Sequence, residues 1–129
     1  MSAGPRVGIV LISHSDALAR EAVALVVGIA GDGVAVAPAG GTDDGLLGTS
    51  VDKVAAAIVR VDQGAGVVLI PDLGSSVLTA RLLEEPGSVV IADVPFVEGA
   101  IGAAVAAGTG ASLRAVLDAA EDARVYRKL

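Results

Sequence analysis

The sequence predicts an α/β fold: a doubly wound, mainly parallel sheet of four to five strands with helices on both faces. Three observations point there. Short, nearly continuous apolar runs, among them Val7 to Ile12, Val67 to Ile70 and Val89 to Ala92, read as strands buried on both sides. They alternate with stretches of helical periodicity. Glycines, hydroxyls and carboxylates gather in the loops that follow the strands, at the rim where open α/β sheets place their ligands.

Each element can be read in turn. Residues 6–13 form the first strand pattern, which breaks into Ser13-His14-Ser15. Leu18, Ala22, Leu25, Val26 and Ile29 then fall on one helical face, with Ser15 placed to cap that helix. A second strand covers about 34–38, and the loop Gly40-Gly41-Thr42-Asp43-Asp44-Gly45-Leu46-Leu47-Gly48 follows. A helix from Thr49 or Ser50 to about Asp62 has Val51, Val54, Ala55, Ile58 and Val61 as its expected buried stripe. A third strand at 66–71, a helix near 76–85, a fourth strand at 89–92 and helices near 97–107 and 112–124 complete the pattern. No repeat or linker divides it, so residues 1–129 read as a single domain, long enough to bury a core.

Composition excludes several classes of function. Apolar residues make up 53% of the chain, and Phe96 and Tyr126 are the aromatics among them, which leaves little for a base-stacking surface. A net charge of −6 repels a phosphate backbone, and the basic cluster Arg124, Arg127 and Lys128 sits at the end of the chain. No nucleic-acid partner is expected. The absence of cysteine and the single histidine rule out disulfides, thiolate sites and a histidine cluster, so neither metal nor cofactor is expected. No apolar run approaches the roughly 20 residues that span a bilayer. The N-terminus from Met1 to Arg6 leads into a strand pattern rather than a signal-peptide core, which predicts a cytoplasmic protein.

His14 is the residue best placed for chemistry, on the loop after the first strand. A neutral imidazole is a competent nucleophile near pH 7 and can carry a phosphoryl group on nitrogen. Such chemistry needs a partner for the other ring nitrogen and donors for the phosphoryl oxygens. Asp72 is the candidate partner; Ser13, Ser15, Gly41, Thr42, Gly74 and Ser75 are the candidate phosphoryl-binding residues. Other motifs fail. The loop from Gly40 to Ser50 has no lysine before a Ser or Thr and is not a Walker A sequence. Gly108-Thr109-Gly110-Ala111 follows a helix and reads as helix termination. No Gly-x-Ser-x-Gly elbow is present, although Ser75 or Ser76 with His14 and Asp72 has the residue types of a hydrolytic triad. Asp43-Asp44 lacks the lysine of a receiver-type pocket and suits a loop or partner-facing role.

Four segments together resemble a known family: Ile12-Ser13-His14-Ser15; Gly40-Gly41-Thr42-Asp43-Asp44 with Gly48-Thr49-Ser50; Asp72-Leu73-Gly74-Ser75; and Pro95-Phe96-Val97-Glu98-Gly99-Ala100. They are similar to the phosphoryl-donor subunits (DhaM) of phosphoenolpyruvate-dependent dihydroxyacetone kinases, whose first domain is like the mannose-family enzyme IIA domains of the sugar phosphotransferase system. The resemblance runs from about Arg6 to Ala123. It implies that the phosphocarrier HPr, itself charged by enzyme I, phosphorylates His14. The group would then pass to ADP held by DhaL, which acts with DhaK on dihydroxyacetone. It also implies that Asp72 orients His14 and that Gly41, Thr42 and Ser75 lie beside the phosphohistidine. A homodimer is implied as well, with the small-residue helix from Gly99 to Gly108 as a candidate contact. The alternative within the resemblance is an enzyme IIA component of a sugar transporter. Leu46, Leu47 and Phe96 fall in loops of the same rim and are the expected apolar anchors for a partner.

Overall fold

The structure is a computed structural model that describes residues 4–129; Met1 to Ala3, which entered the domain and leader readings above, lie outside the described residues. The fold is the doubly wound parallel α/β sheet expected, with four strands. In chain order these are β1 (Gly8–Ser13), β2 (Val36–Gly40), β3 (Val67–Pro71) and β4 (Val89–Ile91), arranged β2-β1-β3-β4 with every pairing parallel. The helices are α1 (Asp16–Ala30), α2 (Val51–Val61), α3 (Gly74–Arg81), α4 (Phe96–Gly108) and α5 (Leu113–Glu121), followed by a 3₁₀ turn over Asp122–Val125.

Strand alternation sorts the core into two layers. Val7, Ile9, Leu11, Val68 and Ile70 pack with α1, α4 and α5 on one face. Val10, Ile12, Ala37, Ala39, Val67 and Leu69 pack with α2 and α3 on the other. All six residues of β1 are buried, which is why no polar side chain interrupts that run before Ser13. Serine begins three of the helices: the hydroxyls of Ser15, Ser50 and Ser112 accept hydrogen bonds from the N–H groups of Leu18, Lys53 and Ala115.

The structure corrects the predicted helix faces. Along α1 the buried residues are Ala19, Ala22 and Val26, while Leu18, Leu25 and Ile29 are about half exposed. In a helix with so few polar residues, two adjacent stripes satisfy the same spacing, and the one with the smaller side chains lets the helix sit close to the sheet. In α2, Ala57 joins Val54 and Val61 in the core; Val51 is exposed and Ala55 and Ile58 are half-buried. The small residues of α4, Gly99, Ala100, Ala103, Ala104 and Ala107, are buried within the chain, and a Cβ at Gly102 would lie 2.9 Å from the Ala119 carbonyl oxygen. Close packing of α4 on the sheet and on α5 accounts for them, while Ile101, Gly102 and Ala106 of the same helix are half-buried and Val105 is exposed.

Strand β2 ends two residues later than predicted, because Pro38 lies inside it rather than at its end. The bonds from Ile9 N–H to the Ala35 carbonyl and from Gly41 N–H to the Ser13 carbonyl turn the odd-numbered residues of β2 towards β1. Pro38 consequently faces the open side of an edge strand, where its missing N–H costs nothing. On that same side the Lys53 ammonium donates to the Gly40 carbonyl at 2.9 Å.

Candidate active site

Parallel strands bring the loops after β1, β2, β3 and β4 to one edge of the sheet, and the loop after β1 is held there by its neighbours. The backbone of β2 closes on it so tightly that a Cβ at Gly40 would lie 2.4 Å from the Ser15 carbonyl oxygen. Gly41 has φ 74° and Gly48 φ 141°, conformations that favour glycine. They turn the loop back so that Gly48 N–H donates to the His14 carbonyl at 2.8 Å.

At the centre stands His14. Its Nδ1 lies 3.0 Å from Asp72 Oδ1, and its Nε2 lies 2.8 Å from Ser75 Oγ. The ring retains 28% of its exposure, whereas the Asp72 side chain retains 8%. Asp72 receives four hydrogen bonds. Oδ1 accepts from the His14 ring and from Ser76 Oγ at 3.0 Å; Oδ2 accepts from Ser13 Oγ at 3.0 Å and from the His14 backbone N–H at 3.1 Å. Burial pushes the carboxyl pKa up, but the His14 and serine donors outweigh it and hold the group below the ordinary value of 3.8. The carboxylate is thus ionised and can only accept. Nδ1 must then carry the proton, and the Nε2 lone pair points outward at the Ser75 hydroxyl.

The structure gives the other sequence candidates different surroundings. Ser15 is the α1 cap next to His14, and Gly74 and Ser75 open α3, where the first N–H groups of a helix have no partner within it. These groups lie on the His14 side of the rim. Ser13 is fully buried; its hydroxyl donates to Asp72 and accepts from Ser15 N–H, so it faces the carboxylate rather than the outer ring nitrogen. The Gly41 N–H is bonded to the Ser13 carbonyl, and the Thr42 N–H to the Leu46 carbonyl. The Thr42 hydroxyl is engaged by Asp44 and Leu46. Both residues shape the loop. Asp43 accepts from Ser50, so the acidic pair is used inside the loop as well. Leu46 and Leu47 are 64% and 81% exposed; Phe96 is half-buried, packed against the core beneath α4 as that helix's first residue. Ser76, fully buried and bonded to Asp72, went unassigned beyond the triad possibility; its signal was a hydroxyl four residues after the aspartate at the start of a helix.

Chemically, a fixed tautomer, an outward lone pair and unpaired N–H groups nearby form a nucleophile with anion donors in reach. Among the described residues there is no group of three or more His, Asp or Glu placed to hold a metal ion, and no helix is long and apolar enough to cross a membrane.

Comparison with known proteins identifies the family. Residues 8–117 match the EIIA-man family, described as PTS system fructose IIA component. The phosphoryl donor subunit DhaM of PEP-dependent dihydroxyacetone kinase 2 from Listeria innocua is 34% identical over 120 residues, covering 86% of this chain and 94% of the relative. The phosphotransferase subunit DhaM of the PTS-dependent dihydroxyacetone kinase from Lactococcus lactis is 31% identical, covering 88% of this chain and 93% of the relative. A DhaM from Pantoea ananatis is 35% identical over 91% of this chain, which spans 27% of that longer protein. A crystal structure of a protein described as of unknown function matches with TM-score 0.83 at 28% identity, over 96% of this chain and 98% of that one. The chain belongs to the EIIA-man family and, within it, to the DhaM group.

Proposed function

We propose that this chain is the phosphoryl-donor subunit of a phosphoenolpyruvate-dependent dihydroxyacetone kinase, working in the cytoplasm, and that His14 Nε2 carries the phosphoryl group. The observation that supports this most directly is the pairing of Nδ1–H with an ionised, buried Asp72, which leaves Nε2 as the free nucleophile. In the first step the Nε2 lone pair attacks phosphorus on the phosphohistidine of HPr. The new P–N bond forms as the donor's P–N bond breaks, and its electron pair returns to the donor ring. The Nδ1 proton stays in place, and Asp72 balances the positive charge that the ring acquires. Ser75 Oγ rotates off Nε2 and, with the N–H groups of Gly74 and Ser75, donates to the phosphoryl oxygens. In the second step a β-phosphate oxygen of ADP held by DhaL attacks the same phosphorus, giving ATP and the neutral ring. DhaL and DhaK then complete the phosphorylation of dihydroxyacetone.

Protein partners must reach His14, and its 28% exposure at an open rim permits that. The exposed leucines of the β2–α2 loop, Leu46 and Leu47, are the proposed contacts. The test is transfer of label from phosphoenolpyruvate through enzyme I and HPr to this chain and on to ADP-loaded DhaL. His14→Gln should accept no label while keeping its fold; normal labelling of that variant would refute the assignment. The family description as a fructose IIA component makes a sugar-transport IIB protein the rival acceptor. Discharge of the phosphorylated chain by such a protein but not by DhaL would select that reading.

A further inference from the structure

The Asp72 carboxylate is held by more than the histidine it orients. Two serine hydroxyls, from different elements and both fully buried, end on it: Ser13 from β1 on Oδ2, and Ser76 from the first turn of α3 on Oδ1. Each hydroxyl has one proton to give. Ser13 Oγ already accepts from Ser15 N–H, so its proton is directed to Asp72. Ser76 Oγ is also 2.8 Å from the Leu73 carbonyl, but that oxygen takes the Ser76 N–H at 3.1 Å. The charged oxygen is the stronger acceptor for the remaining proton. With both hydroxyls and both His14 N–H groups in place, the lone-pair directions of the carboxylate are filled.

We propose that Ser13 and Ser76 are positioning residues of the phosphoryl exchange, a buried hydroxyl clamp that aims Asp72 at Nδ1 and tempers the carboxylate's pull on a second ring proton. The inference rests on the phosphohistidine reading above. Its physical content is a competition. Each hydroxyl bond withdraws electron density from the carboxylate. Removing one leaves the oxygens more basic, strengthens their attraction for a doubly protonated ring, and moves the uptake of a proton at Nε2 to higher pH. A ring protonated at Nε2 cannot attack phosphorus. The charged groups on the elements around His14 include Asp16, Arg20 and Glu21 of α1, Asp43 and Asp44 in the β2–α2 loop, Asp52, Lys53 and Arg60 of α2, Arg81 of α3 with Glu84 after it, which line one cavity with Asp72, and Asp93 after β4. They are common to the wild type and the variants, so a difference between them reports the clamp.

The experiment follows the His14 ring by long-range ¹H–¹⁵N NMR in the unphosphorylated protein, for wild type, Ser13→Ala, Ser76→Ala and Ser76→Cys. Both alanine variants should take up the ring proton at a pH higher by about one unit, a tenfold change in the protonation equilibrium. Phosphorylation by HPr should fall by up to about tenfold at pH values below the ring titration and recover above it, because only the protonated fraction is inactive. Ser76→Cys fills the same space but donates weakly. It should behave like the alanine variant, and it keeps the test open if Ser76→Ala does not fold. A ring titration unchanged in the variants, with rates lowered equally at every pH, would make the serines structural and overturn the proposal; so would wild-type behaviour of Ser76→Cys. Since the titration needs no phosphoryl donor, a shifted ring in a protein that HPr fails to label would sink the functional reading and leave the clamp standing.

Discussion

Replacing Asp72 by asparagine changes one atom pair and sets four hydrogen bonds in conflict. The wild-type carboxylate accepts from two donors on each oxygen. Whichever way an amide is turned, its NH₂ group must face two of those donors. On the Oδ2 side it would oppose the His14 backbone N–H, which cannot reverse its role. On the Oδ1 side both neighbours can adapt: Ser76 Oγ can accept, and the His14 ring can move its proton from Nδ1 to Nε2. The variant should therefore settle with NH₂ on the Oδ1 side and the wrong tautomer. The lone pair on Nε2 disappears, and with it the nucleophile. Loss of the negative charge also removes the counter-charge for the phosphorylated ring. Second-shell orienters of this kind contribute about 10–100-fold, and the same exchange in a serine-protease triad costs about 10⁴-fold through the tautomer alone. Asp72→Asn should thus slow phosphorylation by about 10²- to 10⁴-fold in a rapid-quench assay with phosphoenolpyruvate, enzyme I and HPr, and ¹⁵N shifts should report a proton on Nε2. A rate within a factor of three of wild type, or an unchanged tautomer, would refute the reasoning.

Three further outcomes follow from the structure. Leu47→Asp, at 81% exposure, should weaken transfer to DhaL with the melting temperature unchanged, whereas Phe96→Asp, packed on the core, should lower stability by about 3–5 kcal/mol; calorimetry beside a transfer assay separates them. Gly40→Ala would set a Cβ 2.8 Å from Asp16 Cα as well as against the Ser15 carbonyl, both backbone atoms. It should cost about 1–3 kcal/mol in denaturant melts and displace the His14 loop, lowering phosphorylation in the folded fraction. Finally, Asp72 has a folded-state pKa below its ordinary 3.8, so its contribution to stability is complete above that pH and is lost as pH falls through the folded value. Asp72→Asn should flatten the fall of stability below about pH 4 in acid unfolding curves; an unchanged slope would show that the carboxylate does not drive it.

What could be read from the residues, and what could not, divides along a physical line. Strand existence and the position of His14 follow from local pattern, because a buried parallel strand needs an apolar run and its end needs polar residues. The meeting of Asp72 with His14 follows from topology, since parallel neighbours end at the same edge. Helix faces were harder: of the face predicted for α1, Ala22 and Val26 are buried, but Leu18, Leu25 and Ile29 are about half exposed and Ala19 takes the inner position instead. The roles of the hydroxyls were hidden for another reason. Ser13 and Ser15 flank the same histidine, yet β1 ends at Ser13, whose hydroxyl is buried against Asp72, while Ser15 has left the strand to cap α1. Thr42 looks available in sequence, but a loop with several glycines must satisfy its own backbone first, and Thr42 does that for Leu46.

A parallel sheet this small has two margins, and each is a template on which another chain can polymerise. On the β2 side that template is defaced. The pyrrolidine of Pro38 supplies no donor, and the neighbouring Gly40 carbonyl is occupied by the Lys53 ammonium, which any incoming strand would have to displace and bring along as an unshielded charge. Such a margin resists the addition of a strand from another molecule. Copies of this chain that associate in solution will not do so by continuing the sheet past Pro38.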